Sequence, residues 1–301
     1  MPSIEAKLLE LVTRLIVRPA FDAPTLSVPR VRRVIDARRW LPPLLPRGTR
    51  IEPSRDPGLR GEWVIPADVA PRRTILYLHG GAFIAGSPPA FRPFAAWLAT
   101  QARARVLTLD YRLAPEHLFP AALEDAVAAV RALYALGTDP KALGIAGDSA
   151  GGALALGTLL SLREAGEPLP AAAGLLSPAT DMAATGESMR TNAATDAMLS
   201  ARHSHEIGRL YAGAVALEHP LLSPLYADLT GLPSLLIHAS DGEILFDDAR
   251  RLAERARAAG VAVEFTVYHA MMHDWHQTVP LTPESRLAVK AVASYFARRI
   301  G

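Results

Sequence analysis

Cysteine is absent from this chain of 301 residues, which excludes disulfide bonds, thiolate metal ligands and a cysteine nucleophile. A large excess of one charge is also missing, since the net charge is only +2. The charges are scattered and form no basic stripe, so we expect no nucleic-acid partner. The lack of cysteine fits a reducing compartment, and we expect a cytoplasmic location.

The chain also lacks a long uninterrupted apolar segment. Its N-terminus, MPSIEAKLLELVTRLIV, carries Glu5, Lys7, Glu10 and Arg14 among the apolar residues, so we expect no secretory signal there. The least polar window, residues 143–162, includes an aspartate and five glycines, so we expect no membrane span. Half of the residues are hydrophobic, which is enough for a sizeable core.

Short apolar runs alternate with longer helical patterns from about residue 50 onward. This alternation predicts a mostly parallel sheet with helices on both of its faces. The predicted strands are 74–78, 105–109, 143–146, 171–176, 234–239 and 261–268, and the predicted helices are 91–103, 120–136, 150–165, 245–259 and 283–299.

Two segments depart from this alternation. Residues 1–48 open with an amphipathic helical pattern and continue rich in proline and arginine, and residues 182–222 are polar and helical in pattern. We expect these segments to be the two parts of a helical cap. Residues 49–181 and 223–301 would then form the catalytic domain.

The stretch LGIAGDSAGGALALGTLL, from Leu143, runs from a predicted strand through a turn into a helix. It places G-x-S-x-G, residues 147–151, in the context that gives this motif its meaning. The serine of such a turn stands above the sheet edge, and the flanking glycines let strand and helix approach closely. We therefore predict that Ser149 is a nucleophile.

A second glycine-containing loop, HGGA, follows the strand predicted at 74–78. A serine that attacks an acyl carbon generates an oxyanion, and this oxyanion needs backbone N–H donors aimed at it. We expect these donors among Gly80, Gly81, Ala82 and Ala150, the last of which follows the nucleophile. His79 is expected to brace the loop rather than to take part in the chemistry.

Five motifs together resemble the hormone-sensitive-lipase-like branch of the α/β-hydrolases, the bacterial family IV esterases. They are HGGAF followed by Gly86-Ser87, DYRLAPEHLFPAALED from Asp110, GDSAGG from 147, SPLYADLTGLP from Ser223, and MMHDWH from Met271. The resemblance implies an α/β-hydrolase fold with a helical cap, and a carboxylesterase that needs no metal and no organic cofactor.

The chain departs from the family pattern at Ala82, where the family usually has a third glycine. Alanine keeps a backbone N–H, so the oxyanion role is retained. Because alanine disfavours positive φ, we expect a negative φ at this position.

The resemblance places the general base at His273, in the loop after the last strand. The acid precedes it in chain order, and the stretch HASDGEILFDDA offers two residues for this role. The family alignment favours Glu243, and Asp241 is the alternative. Asp247 and Asp248 fit the first turn of a helix, where its dipole favours acidic side chains.

Several further residues receive provisional roles. Pocket walls are expected at Phe21, Trp40, Phe83, Leu210, Met272 and Trp275, with the alternative that the last two are core residues. Asp110, Arg112 and Glu116 are expected to form a buried ionic network beneath the site. A metal site at His269, His273 and His276 is not expected, because no fourth ligand is evident.

These features predict a hydrolase of short- to medium-chain carboxylic esters that forms an acyl-serine intermediate. The alternatives are an amide or peptide hydrolase on the same fold, and a non-catalytic protein that binds a small ligand. The expected partner is a small-molecule ester. The oligomeric state, a homodimer included, is left open.

Overall fold

A computed structural model describes residues 1–37, 44–67 and 72–301. Within these ranges the α-helices are α1 Ile4–Ile16, α2 Arg18–Asp22, α3 Val28–Asp36, α4 Pro88–Ala102, α5 Ala121–Ala135, α6 Ala150–Glu164, α7 Ser188–Thr191, α8 Ser204–Ala212, α9 Phe246–Ala258 and α10 Pro283–Arg299. The strands are β1 Arg50–Pro53, β2 Gly61–Ile65, β3 Thr74–Leu78, β4 Arg105–Leu109, β5 Leu143–Asp148, β6 Ala172–Leu176, β7 Ser234–Ser240 and β8 Val263–Tyr268.

The strands form one sheet in the order β1-β2-β4-β3-β5-β6-β7-β8. Strands β3 to β8 are mutually parallel, whereas β1 and β2 are antiparallel to their neighbours. The predicted fold class, a mostly parallel sheet with helices, is therefore confirmed. The sequence did not predict β1 and β2, since both are short and β1 is largely exposed.

Alternate side chains of β3 supply two separate cores, as the two-residue period of a strand requires. Ile75 and Tyr77 pack into the core shared with α4 and α10. Leu76 and Leu78 pack into the core shared with α5, α6 and α9. The sheet is therefore covered by helices on both faces.

Parallel pairing brings the carboxyl ends of the strands to one edge of the sheet. The HGGA loop follows β3, Ser149 follows β5, Glu243 follows β7 and His273 follows β8. Residues that lie far apart along the chain thus meet at the same edge.

The two predicted cap segments contact each other. The hydroxyl of Ser200 donates a hydrogen bond to Asp22 at 2.6 Å, and the guanidinium of Arg18 donates one to the carbonyl of Ala193 at 2.8 Å. The N-terminal segment also reaches the catalytic side, where the Ser3 hydroxyl donates to Glu284 at 2.9 Å. The division into cap and catalytic domain at residues 48, 181 and 222 stays a prediction.

Helix α1 forms where the sequence predicts it, but it buries only a narrow face. Ala6 and Thr13 are buried, whereas Ile4, Leu8 and Leu15 are exposed. Across the described ranges, no helix has both the length and the apolar character needed to cross a bilayer.

The aromatic ring of Phe296 in α10 fills a slot that two strand glycines leave open. A Cβ atom at Gly144 of β5 would lie 2.6 Å from this ring, and one at Gly174 of β6 would lie 3.0 Å from it. Phe296→Ala should therefore lower the free energy of unfolding by about 3–5 kcal/mol, because it opens a cavity that the sheet cannot fill.

Urea denaturation measures this change. The control is Leu287→Ala on the same helix, whose side chain is 65% exposed and whose loss should cost less than about 1 kcal/mol. Equal destabilisation by the two variants would contradict the packing described for Phe296.

Candidate active site

The turn at Ser149 is strained and depends on glycines on both sides. Ser149 lies directly between β5 and α6, and its backbone angles are φ 51° and ψ −120°. A Cβ atom at Gly147 would lie 2.2 Å from the carbonyl oxygen of Gly151, and one at Gly151 would lie 1.9 Å from that of Leu78. Only glycine permits these approaches, so the motif holds the serine at the sheet edge.

His273 and Glu243 are joined by a short hydrogen bond. Nδ1 of His273 lies 2.6 Å from Oε2 of Glu243, and each side chain is 1% exposed. The other carboxylate oxygen accepts from the Ser177 hydroxyl at 2.9 Å and from the Ser240 amide at 2.7 Å. Burial raises the pKa of Glu243, and the bond to His273 opposes this rise.

Asp241, the alternative acid, lies away from this pair. Its carboxylate binds Nδ1 of the exposed His269 at 2.7 Å and accepts from the amide of Ala270, also at 2.7 Å. The structure therefore brings Glu243, and not Asp241, to His273.

Asp247 and Asp248 lie in the first turn of α9, where the sequence placed them. Asp248 accepts from the amides of Thr180 and Asp181 at 2.8 and 2.9 Å, and burial raises its pKa to about 8. Asp247 accepts from the amide of Ser188 at 2.9 Å. Both residues thus anchor the chain around the second cap segment to the catalytic side.

The four amides expected as oxyanion donors differ in their hydrogen bonding. The amides of Gly81, Ala82 and Ala150 have no acceptor in the part of the chain that the structure describes. The amide of Gly80 instead donates to Oδ1 of Asp148 at 2.9 Å. Gly80 was therefore wrongly included among the donors, because a buried carboxylate already occupies its N–H.

The expected negative φ at Ala82 is wrong. Ala82 has φ 57° and Phe83 has φ 60°. Bonds from the amides of Ile84 and Ala85 to the carbonyl of Gly81, at 3.0 and 2.9 Å, close the loop over these two residues. The loop thus imposes a left-handed conformation that an L-residue adopts only at a cost of about 1–2 kcal/mol.

His79 has the surroundings of a bracing residue. Its ring stacks on Tyr111 and Phe91, with centroids 4.4 and 5.2 Å away, and its Nδ1 lies 2.8 Å from the carbonyl of Gly80. Burial lowers the pKa of His79 to about 4, so the ring is neutral. The hydroxyl of Tyr111, whose role the sequence did not reveal, donates to the carbonyl of His79 at 2.6 Å.

Three acidic or phenolic groups lie near the site, and two of them, Tyr77 and Asp274, received no role from the sequence. Asp148 is buried and accepts from the hydroxyl of Tyr77. Oδ2 of Asp274 lies 3.2 Å from Nε2 of His273. Burial and then the charge of Asp274 raise the pKa of Asp148 well above its usual value. The only local signal for Asp274 is its position directly after the histidine.

The predicted network of Asp110, Arg112 and Glu116 does not form. Each residue pairs elsewhere, and largely at the surface: Asp110 with Arg60, Arg112 with Asp125, and Glu116 with Arg32. The residues of this motif point in different directions after β4, so their proximity in sequence does not bring their charges together.

Two clefts adjoin Ser149. The larger, about 600 Å³ with its open mouth, is lined by the loop after β3 and by apolar residues of the two predicted cap segments, among them Phe21, Phe83 and Ile207. The smaller lies beside His273 and Asp274 and also contacts Phe21. Phe21 and Phe83 thus lie where the sequence expected pocket walls.

The other expected walls differ. Leu210 packs against the main core, and neither Met272 nor Trp275 lines the two clefts. Met272 and Trp275 are core residues beneath α1, because the histidine loop turns their side chains away from the serine. Trp40 lies outside the described residues.

The three histidines considered for a metal site have different partners. His269 pairs with Asp241, His273 with Glu243, and His276 with His238 at 3.2 Å. The residues with described positions contain no group of three side chains that could hold a metal ion.

Comparisons with known proteins agree on one family. A family model described as "alpha/beta hydrolase fold" matches residues 75–277. The chain is 44% identical over 240 residues to an acetyl-hydrolase of Streptomyces hygroscopicus, covering 80% of each chain. It is 36% identical over 253 residues to an esterase of Acinetobacter venetianus, covering 82% of this chain and 81% of that one.

Comparison with solved structures indicates the same family. The chain is similar to the crystal structure of an esterase from the bacterial hormone-sensitive lipase family, with a TM-score of 0.94 and 40% identity over 100% of both chains.

Substitution by glycine usually lowers the free energy of unfolding, but the strain at Ala82 predicts the opposite there. Ala82→Gly should keep or raise the free energy of unfolding, by up to about 1 kcal/mol, because relief of the left-handed strain exceeds the added chain entropy. The matched control is Ala85→Gly in the same loop, which lacks a positive φ. It should lower the free energy of unfolding by about 1 kcal/mol. Thermal unfolding measures the stability of both variants. If Ala82→Gly were less stable than Ala85→Gly, the strain inferred at Ala82 would be contradicted.

Proposed function

Because the chain belongs to the α/β-hydrolase family, in its hormone-sensitive-lipase-like branch, and is a carboxylesterase, we propose that it hydrolyses short- to medium-chain esters with a Ser149–His273–Glu243 triad. This membership confirms the resemblance inferred from the five motifs. The observation that carries the mechanism is the buried 2.6 Å bond between His273 and Glu243 at the edge that bears Ser149.

In the first step, Ser149 attacks the ester carbonyl carbon while Nε2 of His273 takes the hydroxyl proton. The negative charge of the tetrahedral intermediate is stabilised by the amides of Gly81, Ala82 and Ala150, which have no acceptor within the described chain. Each such donor is worth about 3 kcal/mol in the transition state. Glu243 keeps Nδ1 protonated and stabilises the imidazolium.

His273 then returns its proton to the leaving alcohol, and the acyl group remains on Ser149. Water activated by the same imidazole releases the acid. Since the alcohol must lie within reach of His273, we assign it to the smaller cleft, which His273 lines. The acyl chain then occupies the larger apolar cleft, which His273 does not line.

The relatives are named as hydrolases, which favours catalysis over the non-catalytic, ligand-binding alternative. Amide hydrolysis is the second candidate reaction, since the same triad attacks amides. A p-nitrophenyl ester and an aminoacyl anilide, assayed on one preparation, separate the two reactions. No step of the proposed mechanism uses a metal or an organic cofactor.

One finer assignment is a proposal as well. We propose a cytoplasmic location on the absence of cysteine. Sedimentation of the purified protein distinguishes a monomer from a homodimer.

The triad predicts a ranking of two acidic substitutions. Glu243→Gln should lower kcat on p-nitrophenyl acetate by about 10³- to 10⁴-fold, because a neutral amide does not stabilise the imidazolium. Asp241→Asn should lower it by less than about fivefold, because this carboxylate binds only the exposed His269 and the Ala270 amide. Ser149→Ala defines the residual rate that remains without a nucleophile. The reverse ranking would assign the acid to Asp241.

The apolar cleft predicts a chain-length limit. Rates on p-nitrophenyl esters should peak at about C2 to C8 and fall for longer chains, since the cap closes over a bounded cleft. Ile207→Trp should shift the peak towards acetate, because Ile207 lines this cleft. Leu210→Trp, on the same helix but outside the cleft, is the matched control. A shift caused by Leu210→Trp alone would contradict the assignment of the acyl chain.

A further inference from the structure

His273 lies between two carboxylates, and only one of them belongs to the proposed triad. Glu243 binds Nδ1 at 2.6 Å, and Oδ2 of Asp274 lies 3.2 Å from Nε2. Nε2 is the nitrogen that must take the proton of Ser149. The hydroxyl of Ser149 makes no hydrogen bond to this imidazole, whereas the carboxylate of Asp274 lies within ion-pairing distance of Nε2.

The backbone holds Asp274 in this position. Asp274 has φ 54° and ψ 36°, a left-handed conformation, and its side chain does not cap the short helix Trp275–Thr278 that follows. The side chain is 6% exposed. The carboxylate is thus directed inward, towards His273, although its strained backbone and its charge would both favour a different arrangement.

A second buried carboxyl group faces the same cleft. Asp148 and Asp274 line this cleft together with Ser149 and His273. One oxygen of each, Oδ2 of Asp148 and Oδ1 of Asp274, has no hydrogen-bond partner in the described chain. Like charges in one buried cleft repel, and burial followed by the charge of Asp274 raises the pKa of Asp148 well above its usual value, so the protonated form of Asp148 is favoured.

We propose that Asp274 is a positioning residue that holds the Nε2–H of His273 away from Ser149 in the resting enzyme. The imidazole must release its proton to water and leave this carboxylate before it can accept the proton of the serine. This inference rests on the proposed role of His273 as the base. The consequence is a shift of the acid limb of the pH profile. As the pH falls, the enzyme loses its activity at a higher pH than a triad without Asp274 would.

The direction of this effect follows from the charges around the ring. Burial alone lowers the pKa of His273, but the charge and hydrogen bond of Asp274, followed by those of Glu243, raise it well above its usual value. A base must be neutral, so a raised pKa moves the acid limb of kcat/KM to higher pH. The titratable groups that face this site from the packed elements are Glu243, Asp196, Asp148, Tyr77 and His276.

The test is the pH profile of kcat/KM for p-nitrophenyl acetate, from about pH 5 to about pH 9. Asp274→Asn removes the charge, so the acid limb should move to lower pH and kcat/KM at the acid end should rise by about tenfold. Asp274→Gly should move the acid limb equally, because it removes the same charge. Glycine also adopts φ 54° without strain, so the backbone should stay in place.

Two further variants complete the design. Asp148→Asn mimics the protonated acid and can donate to Asp274, so its acid limb should match the wild type. Asp241→Asn removes one charge beside His269, in the neighbouring loop, and should also leave the limb in place.

An acid limb that stays in place in both Asp274 variants overturns the proposal, as does a loss of activity at every pH without a shift. Failure of the proposed triad would look different, because Glu243→Gln or Ser149→Ala would then retain activity in the wild-type background.

Discussion

The close approach of α6 to β3 and β5 determines the geometry of the site. Gly147 and Gly151 allow backbone contacts that a single Cβ atom would exclude, and α6 is buried along almost its whole length. The strained Ser149 is therefore held by packing rather than by its own preference. The amide of Ala150, the next residue, is directed with it, so one constraint positions both groups.

Burial then decides how the charged groups behave. Glu243, His273, Asp148 and Asp274 are all buried. In such surroundings an ionised group persists only when hydrogen bonds or an opposite charge support it. Ser177 and Ser240 support Glu243, whereas Tyr77 and Gly80 support Asp148. The site thus contains more acid than a triad needs, and the surplus is concentrated on the side of Nε2.

Residues 182–222, the predicted second cap segment, contact the loop of Glu243 and also line the larger cleft. Oδ2 of Asp196 accepts from the amide of Ile244 at 3.0 Å, and the amide group of Asn192 donates to the carbonyls of Asp241 and Glu243, both at 2.8 Å. The loop that carries Glu243 is therefore held from the cap side. A movement of this segment would change both the larger cleft and the support of Glu243, because different residues of the segment contact each of them.

The sequence by itself determined the fold class, the parallel strands and the turn at Ser149, because strand and helix periods and the glycine spacing act over a few residues. The motifs added His273 and narrowed the acid to Glu243 or Asp241. Only the tertiary structure separated these two acids, since one is buried against the imidazole and the other is exposed. It also engaged the amide of Gly80, made φ of Ala82 positive and directed Met272 and Trp275 into the core. Asp274 is the clearest case, because its contact with the neighbouring histidine depends on a left-handed backbone conformation. That conformation depends on the surrounding fold, and no local sequence pattern predicts it.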